Sequence, residues 1–162
     1  MKKVILKFVL LVCIIIMPSI SYSQANTNQQ VADEIMGIVK AQWAAETADP
    51  GNLTEIYKNT ADECTVFNGN YATRLDGKTV MMNLSEPNAK APGRTVASEM
   101  LNPKVQVYGD VAILTYNFAG VVKNKDGELK PSRAKSTRVY AKQGGKWKLV
   151  HANFAADPLP KD

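Results

Sequence analysis

The hydrophobic pattern shifts from a helical period near the start of the domain to a strand period over most of the rest, and that shift limits the fold more than any other feature of the sequence. In the first part, apolar side chains recur every three or four positions. Val31, Ile35, Ile38, Val39 and Trp43 form one stripe, the inner face of a helix over about Asn28 to Thr47. Asp49-Pro50-Gly51 ends it. Asn52 with Glu55 three residues on has the form of a capping box, predicting a short second helix over about Leu53 to Asn59 with Leu53, Ile56 and Tyr57 on its buried side. Beyond this the period becomes two. Cys64–Asn68 and Tyr71–Leu75 flank Gly69-Asn70 and read as a hairpin. A third short helix is predicted over Lys78–Leu84, followed by a loop from Glu86 to Arg94 that holds Pro87 and Pro92. Long strands then follow: Thr95–Val107, with a bulge at Asn102-Pro103, Val111–Val122, Ser132–Gln143 and Trp147–Phe154. The turns between them carry Gly109-Asp110, Asp126-Gly127 and Gly144-Gly145. Helices first and antiparallel strands afterwards make an α+β fold with helices packed on one face of the sheet. No repeat or linker divides the chain.

The N-terminus stands apart from this pattern. Lys2, Lys3 and Lys7 precede the ten-residue apolar run Phe8 to Met17, Pro18 and Ser19 end it, and Ser21 and Ser23 supply small residues before a cut ahead of Gln24. This is the order of a secretory signal, and ten residues are half of the about 20 that a membrane span needs. Residues 1–23 are therefore expected to be a signal peptide and 24–162 a single mature domain. The mature protein is expected in the periplasm or outside the cell, with no membrane association after cleavage. Removing the three lysines leaves 17 Lys and Arg against 15 acids, a net charge of +2, which argues against nucleic acid as the main partner. Of the two cysteines, Cys13 would leave with the signal. Cys64 then has no disulfide partner and reads as a buried strand residue rather than a nucleophile. With one histidine in the chain and no CxxC or HExxH spacing, no metal site is expected. With no glycine-rich phosphate loop, no cofactor is expected either.

The stretches Asn102-Pro103-Lys104-Val105-Gln106-Val107, Gly109-Asp110-Val111-Ala112, Thr137-Arg138-Val139-Tyr140 and Gly145-Lys146-Trp147-Lys148-Leu149-Val150-His151 resemble the nuclear transport factor 2-like superfamily. Within it, the chain is most similar to the association (hub) domain of calcium/calmodulin-dependent protein kinase II and its bacterial SnoaL-like relatives. The resemblance covers about residues 31–154. It implies a cone-shaped fold, in which N-terminal helices pack in a strongly curved antiparallel sheet around a pocket, and a homodimer formed through the outer sheet face.

Strand alternation puts Ala134, Ser136, Arg138 and Tyr140 on one face, and the resemblance turns Arg138 into the pocket. It also implies a difference. Where hub domains gather further arginines, this chain has Phe118 and Phe154, and Asn153 replaces a second histidine. A pocket of Arg138, Tyr116, Tyr140, Phe118 and Phe154 suits a small, partly apolar ligand with one anionic or polar end. Parity from Phe154 sends Trp147, Leu149, His151 and Asn153 to the outer face, as an interface between copies, so His151 reads as structural rather than catalytic. Two alternatives stand beside ligand binding. One is a cyclase-, isomerase- or dehydratase-type enzyme, whose carboxylate would come from Asp62 or Glu63, just before the first strand, acting with Arg138 and a tyrosine. The other is an oligomerisation module with a vestigial pocket.

Overall fold

Ile35, Val39 and Trp43 lie four residues apart, and all three are buried. They anchor the first helix, α1, residues 27–48, against the sheet. The computed structural model describes residues 27–89 and 93–157; the signal-like segment and Pro92 lie outside them. The Thr47 hydroxyl donates to the Trp43 carbonyl at 2.9 Å, and the Asp49 carboxylate accepts from the Gly51 amide at 3.1 Å, which closes α1 and turns the chain. Asn52 caps α2 (Leu53–Ile56), its side chain accepting from the Glu55 amide. This helix is a single turn, shorter than expected, because Tyr57 already leaves the helical conformation and the first strand begins at Thr60.

The strands are β1 (Thr60–Asn68), β2 (Leu75–Asp76), β3 (Arg94–Tyr108), β4 (Val111–Lys123), β5 (Leu129–Gln143) and β6 (Lys146–Ala156), with α3 (Lys78–Ala89) between β2 and β3. They form one curved sheet in the order β2-β1-β6-β5-β4-β3. The α+β class and the helix-then-sheet order are as expected. The sheet is mixed rather than purely antiparallel, because β1 runs parallel to β6. The expected turn at Gly69-Asn70 forms, with the Tyr71 amide donating to the Asn68 carbonyl at 3.0 Å, but the flanking segments do not pair directly through it. The Asn68 side chain accepts from the Asn70 amide at 3.0 Å, which turns the chain out of the ladder. Only Leu75 and Asp76 return to pair with Val66 and Thr65. The third helix also runs past its expected end. Pro87 lies inside it, two residues before Ala89, the last described residue of the helix.

Four register shifts shape the sheet, one of them on β1 between Thr60 and Thr65, where it pairs with β6. On β3, Asn102 and Pro103 stand together opposite Tyr116, between the Leu101–Asn117 and Lys104–Thr115 pairs, and Asn102 has a φ of 50°. A second shift lies between Thr95 and Ala97. On β6, Val150 is the extra residue between His151, paired with Val139, and Leu149, paired with Tyr140. Bulges bend and twist a strand, and here they help wrap the sheet around α1. Cys64, Leu114, Tyr140, Trp147 and Ala152 meet the α1 stripe in the core. Burial, with Glu63 nearby, pushes the Cys64 thiol up to about 11, so it packs as a small apolar group rather than reacting.

Candidate functional site

The alternation of β5 brings Ser136, Arg138 and Tyr140 to the inner face, where all three are buried. Arg138 is 4% exposed and has no ion-pair partner among the described residues. Its Nε donates to the Tyr116 hydroxyl at 3.1 Å and its Nη1 to Gln42 Oε1 at 2.8 Å. The guanidinium carbon lies 5.1 Å from the centre of the Phe154 ring and 6.0 Å from that of Tyr116. Burial opposes the charge, but Tyr116 and Tyr140 outweigh it and hold the guanidinium above its ordinary value. An unpaired buried cation would cost several kcal/mol, so these neutral partners stabilise it where an anion would normally do so.

Gln42 extends the network. Its Nε2 donates to Glu46 Oε1 at 2.8 Å, so one amide side chain links the Arg138 cation to a half-buried carboxyl one helical turn further along α1. Burial raises the Glu46 pKa, opposed by the Gln42 bond and the Arg138 charge. Behind Arg138, Trp43 meets Tyr116 and Phe118 edge to face, with centroids 5.8 and 5.5 Å apart. The Phe118 ring lies against Gly120, where a Cβ would come within 2.5 Å of it.

Arg138 opens onto a cavity of about 150 Å³, lined also by Gln42, Tyr57, Tyr71, Leu84 and Phe154 among others. A neighbouring cleft of about 210 Å³ is lined by Glu46, Pro50, Leu53, Ile56 and Arg94, and shares Tyr57 and Ser85 with the first. The Tyr57 and Ser85 hydroxyls are 2.7 Å apart. Among the described residues no group of His, Cys, Asp and Glu could hold a metal ion.

A helix is thus wrapped by a curved sheet, with an arginine lining the cavity. The family of calcium/calmodulin dependent protein kinase II association domains matches residues 31–158. The chain belongs to this family. No curated protein sequence matches it. Among solved structures, the association domain of Caenorhabditis elegans calcium/calmodulin dependent protein kinase II is 19% identical, with a TM-score of 0.68, over 81% of this chain and 99% of that one. A nuclear transport factor 2-like superfamily protein from Salmonella enterica is 16% identical, with a TM-score of 0.68, over 82% and 95%. A candidate ketosteroid isomerase from Parabacteroides distasonis is 15% identical, with a TM-score of 0.60, over 76% and 85%. These likenesses place the fold in the nuclear transport factor 2-like group.

Within this association-domain fold, the residues expected at the pocket take different positions. Arg138 and Phe154 line the cavity. Tyr116 braces Arg138, Tyr140 is buried in the core, and Phe118 packs on Trp43 rather than facing the cavity. The outer-face set divides. His151 and Asn153 do face outward, and His151 Nδ1 lies 2.8 Å from the Thr65 hydroxyl. Trp147 and Leu149 are corrected. They are 2% and 8% exposed and belong to the core, because the extra residue Val150 reverses the parity between them and Phe154. Asp62 and Glu63 lie inside β1 rather than before it. The Asp62 side chain is 91% exposed and pairs with Lys78, while Glu63 accepts from Gln143, so neither reaches the cavity. The acid nearest the site in bonding terms is Glu46, which the sequence reading passed over together with Gln42. Their signal was faint: two polar residues at i and i+4, flanking the apolar stripe at Trp43.

Proposed function

We propose that this is an exported small-molecule-binding domain that self-associates, and that its pocket takes a small, partly apolar ligand with one carboxylate. The observation that carries the reading is Arg138: a buried guanidinium without an anionic partner among the described residues, opening onto a cavity beside the Phe154 ring. A carboxylate would complete the charge by a two-point fork while the aromatic and aliphatic lining covers the rest of the ligand. Export is supported by the basic, apolar, small-residue order of residues 1–23, and self-association by membership in a family of association domains. The test is Arg138→Lys, which keeps the charge and loses the fork. It should weaken binding of simple monocarboxylates, followed by NMR titration, about tenfold or more, the scale of one charge-assisted hydrogen bond, while leaving the circular dichroism spectrum unchanged. Equal affinity in both proteins would refute the anchoring role.

One observation favours a second reading, an isomerase-type enzyme. Glu46 is a carboxyl raised by burial and tied to Arg138 through Gln42, which is how a pocket acid is kept reactive. In this reading Glu46 takes the place expected of Asp62 or Glu63.

A further inference from the structure

The Arg138 cavity and the cleft beside Glu46 are separated by little. Tyr57 and Ser85 line both spaces, and their hydroxyls meet at 2.7 Å. Tyr57 caps the one-turn α2, and Ser85 lies in α3. The common wall is thus two half-buried side chains joined by a hydrogen bond. Water can satisfy both hydroxyls when they part, and each side chain moves by rotation about its own χ1. The far cleft is lined by Pro50, Leu53, Ile56 and Ala89, with Glu46 and Arg94 as its two charges. Those charges are of opposite sign, so the cleft offers no net attraction to a second ionised end.

We propose that the Tyr57–Ser85 hydrogen bond is a partition that sets ligand length. With the bond made, a ligand is confined to the Arg138 cavity. With it open, the two spaces join into one channel that takes an unbranched monocarboxylate, its carboxylate on Arg138 and its chain end among Leu53, Ile56 and Ala89. This deepens the carboxylate-binding reading and rests on it.

The test is a titration of the purified protein with straight-chain acids from acetate to decanoate, read by NMR or calorimetry. In the unmodified protein, affinity should rise with chain length and then level off where the chain reaches the partition. In Ser85→Ala and Tyr57→Phe, each of which removes one hydroxyl and little else, it should go on rising by about fourfold per added methylene, the equivalent of ~0.8 kcal/mol per buried CH₂. Ser85→Thr, which keeps a hydroxyl, should retain the levelling. If short acids bind in an Arg138-dependent way but both hydroxyl-deleted variants level off at the same chain length as the unmodified protein, the partition is wrong and the binding reading survives. If no acid of any length binds, both fall together.

Discussion

Arg138 shows how a buried cation can be held without an adjacent anion. Two neutral acceptors take its Nε and Nη1 protons, two aromatic faces lie within 6.0 Å, and the nearest linked carboxyl is one amide away, at Glu46. That carboxyl carries a testable cost. Burial raises its pKa above the ordinary 4.5, against the Gln42 bond and Arg138. The folded state therefore favours the protonated acid, and stability falls as pH rises from 4.5 through the folded-state value. Glutamine keeps the acceptor oxygen and cannot ionise. Glu46→Gln should match the parent melting temperature below pH 4.5 and exceed it by a few degrees at neutral pH, followed by circular dichroism. A difference that stays constant with pH would contradict the burial argument. Strand alternation placed Arg138 on the same face as Ser136 and Tyr140 from sequence. Gln42 and Glu46 were not legible, because polar residues beside an apolar stripe look like an ordinary solvated helix face.

At the level of elements, the two well-defined bulges differ in how openly the sequence declares them. Asn102-Pro103 interrupts a strand with a residue that tolerates positive φ and one that cannot donate to the ladder, and the bulge sits there, opposite Tyr116. Asn102 has a φ of 50°, so its substitutions should separate cleanly. Asn102→Gly should be neutral or slightly stabilising, and Asn102→Val should cost about 1–2 kcal/mol in urea unfolding. Equal stability of the two variants would show that the left-handed backbone is not retained. Val150 gives no such sign. Lys148-Leu149-Val150-His151 reads as unbroken strand, and only the pairing of β6 with β5 reveals the extra residue. One undetected residue reversed the assignment of Trp147 and Leu149, because side-chain direction along a strand has a period of two.

For the whole molecule, the proposed self-association would use the outer sheet face. With Trp147 and Leu149 in the core, that face keeps His151 and Asn153 and gains Phe67, which is 49% exposed and lies with its ring centre 6.0 Å from that of His151. A dimer built there should be abolished by Phe67→Glu, which would set like charges against each other across a two-fold interface. Light scattering should then give a monomer mass with an unchanged circular dichroism spectrum. A dimer that survives the substitution would place the interface elsewhere.

The order of elements, the α+β class and the face of β5 that carries Arg138 were determined by the sequence alone, because period and turn chemistry are local properties that the chain writes out residue by residue. The parallel pairing of β1 with β6, the reversal at Val150 and the link from Arg138 through Gln42 to Glu46 were decided by the tertiary structure. The first and last of these join residues far apart in the chain, and the reversal at Val150 depends on how β6 pairs with β5. Gln42 and Arg138 are separated by 96 positions, and no local propensity carries information about a partner at that distance. The acid linked to the site followed the same rule: Asp62 and Glu63 were the acids the sequence offered, but the packing of α1 into the curved sheet ties Glu46, on the neighbouring cleft, to Arg138 through Gln42.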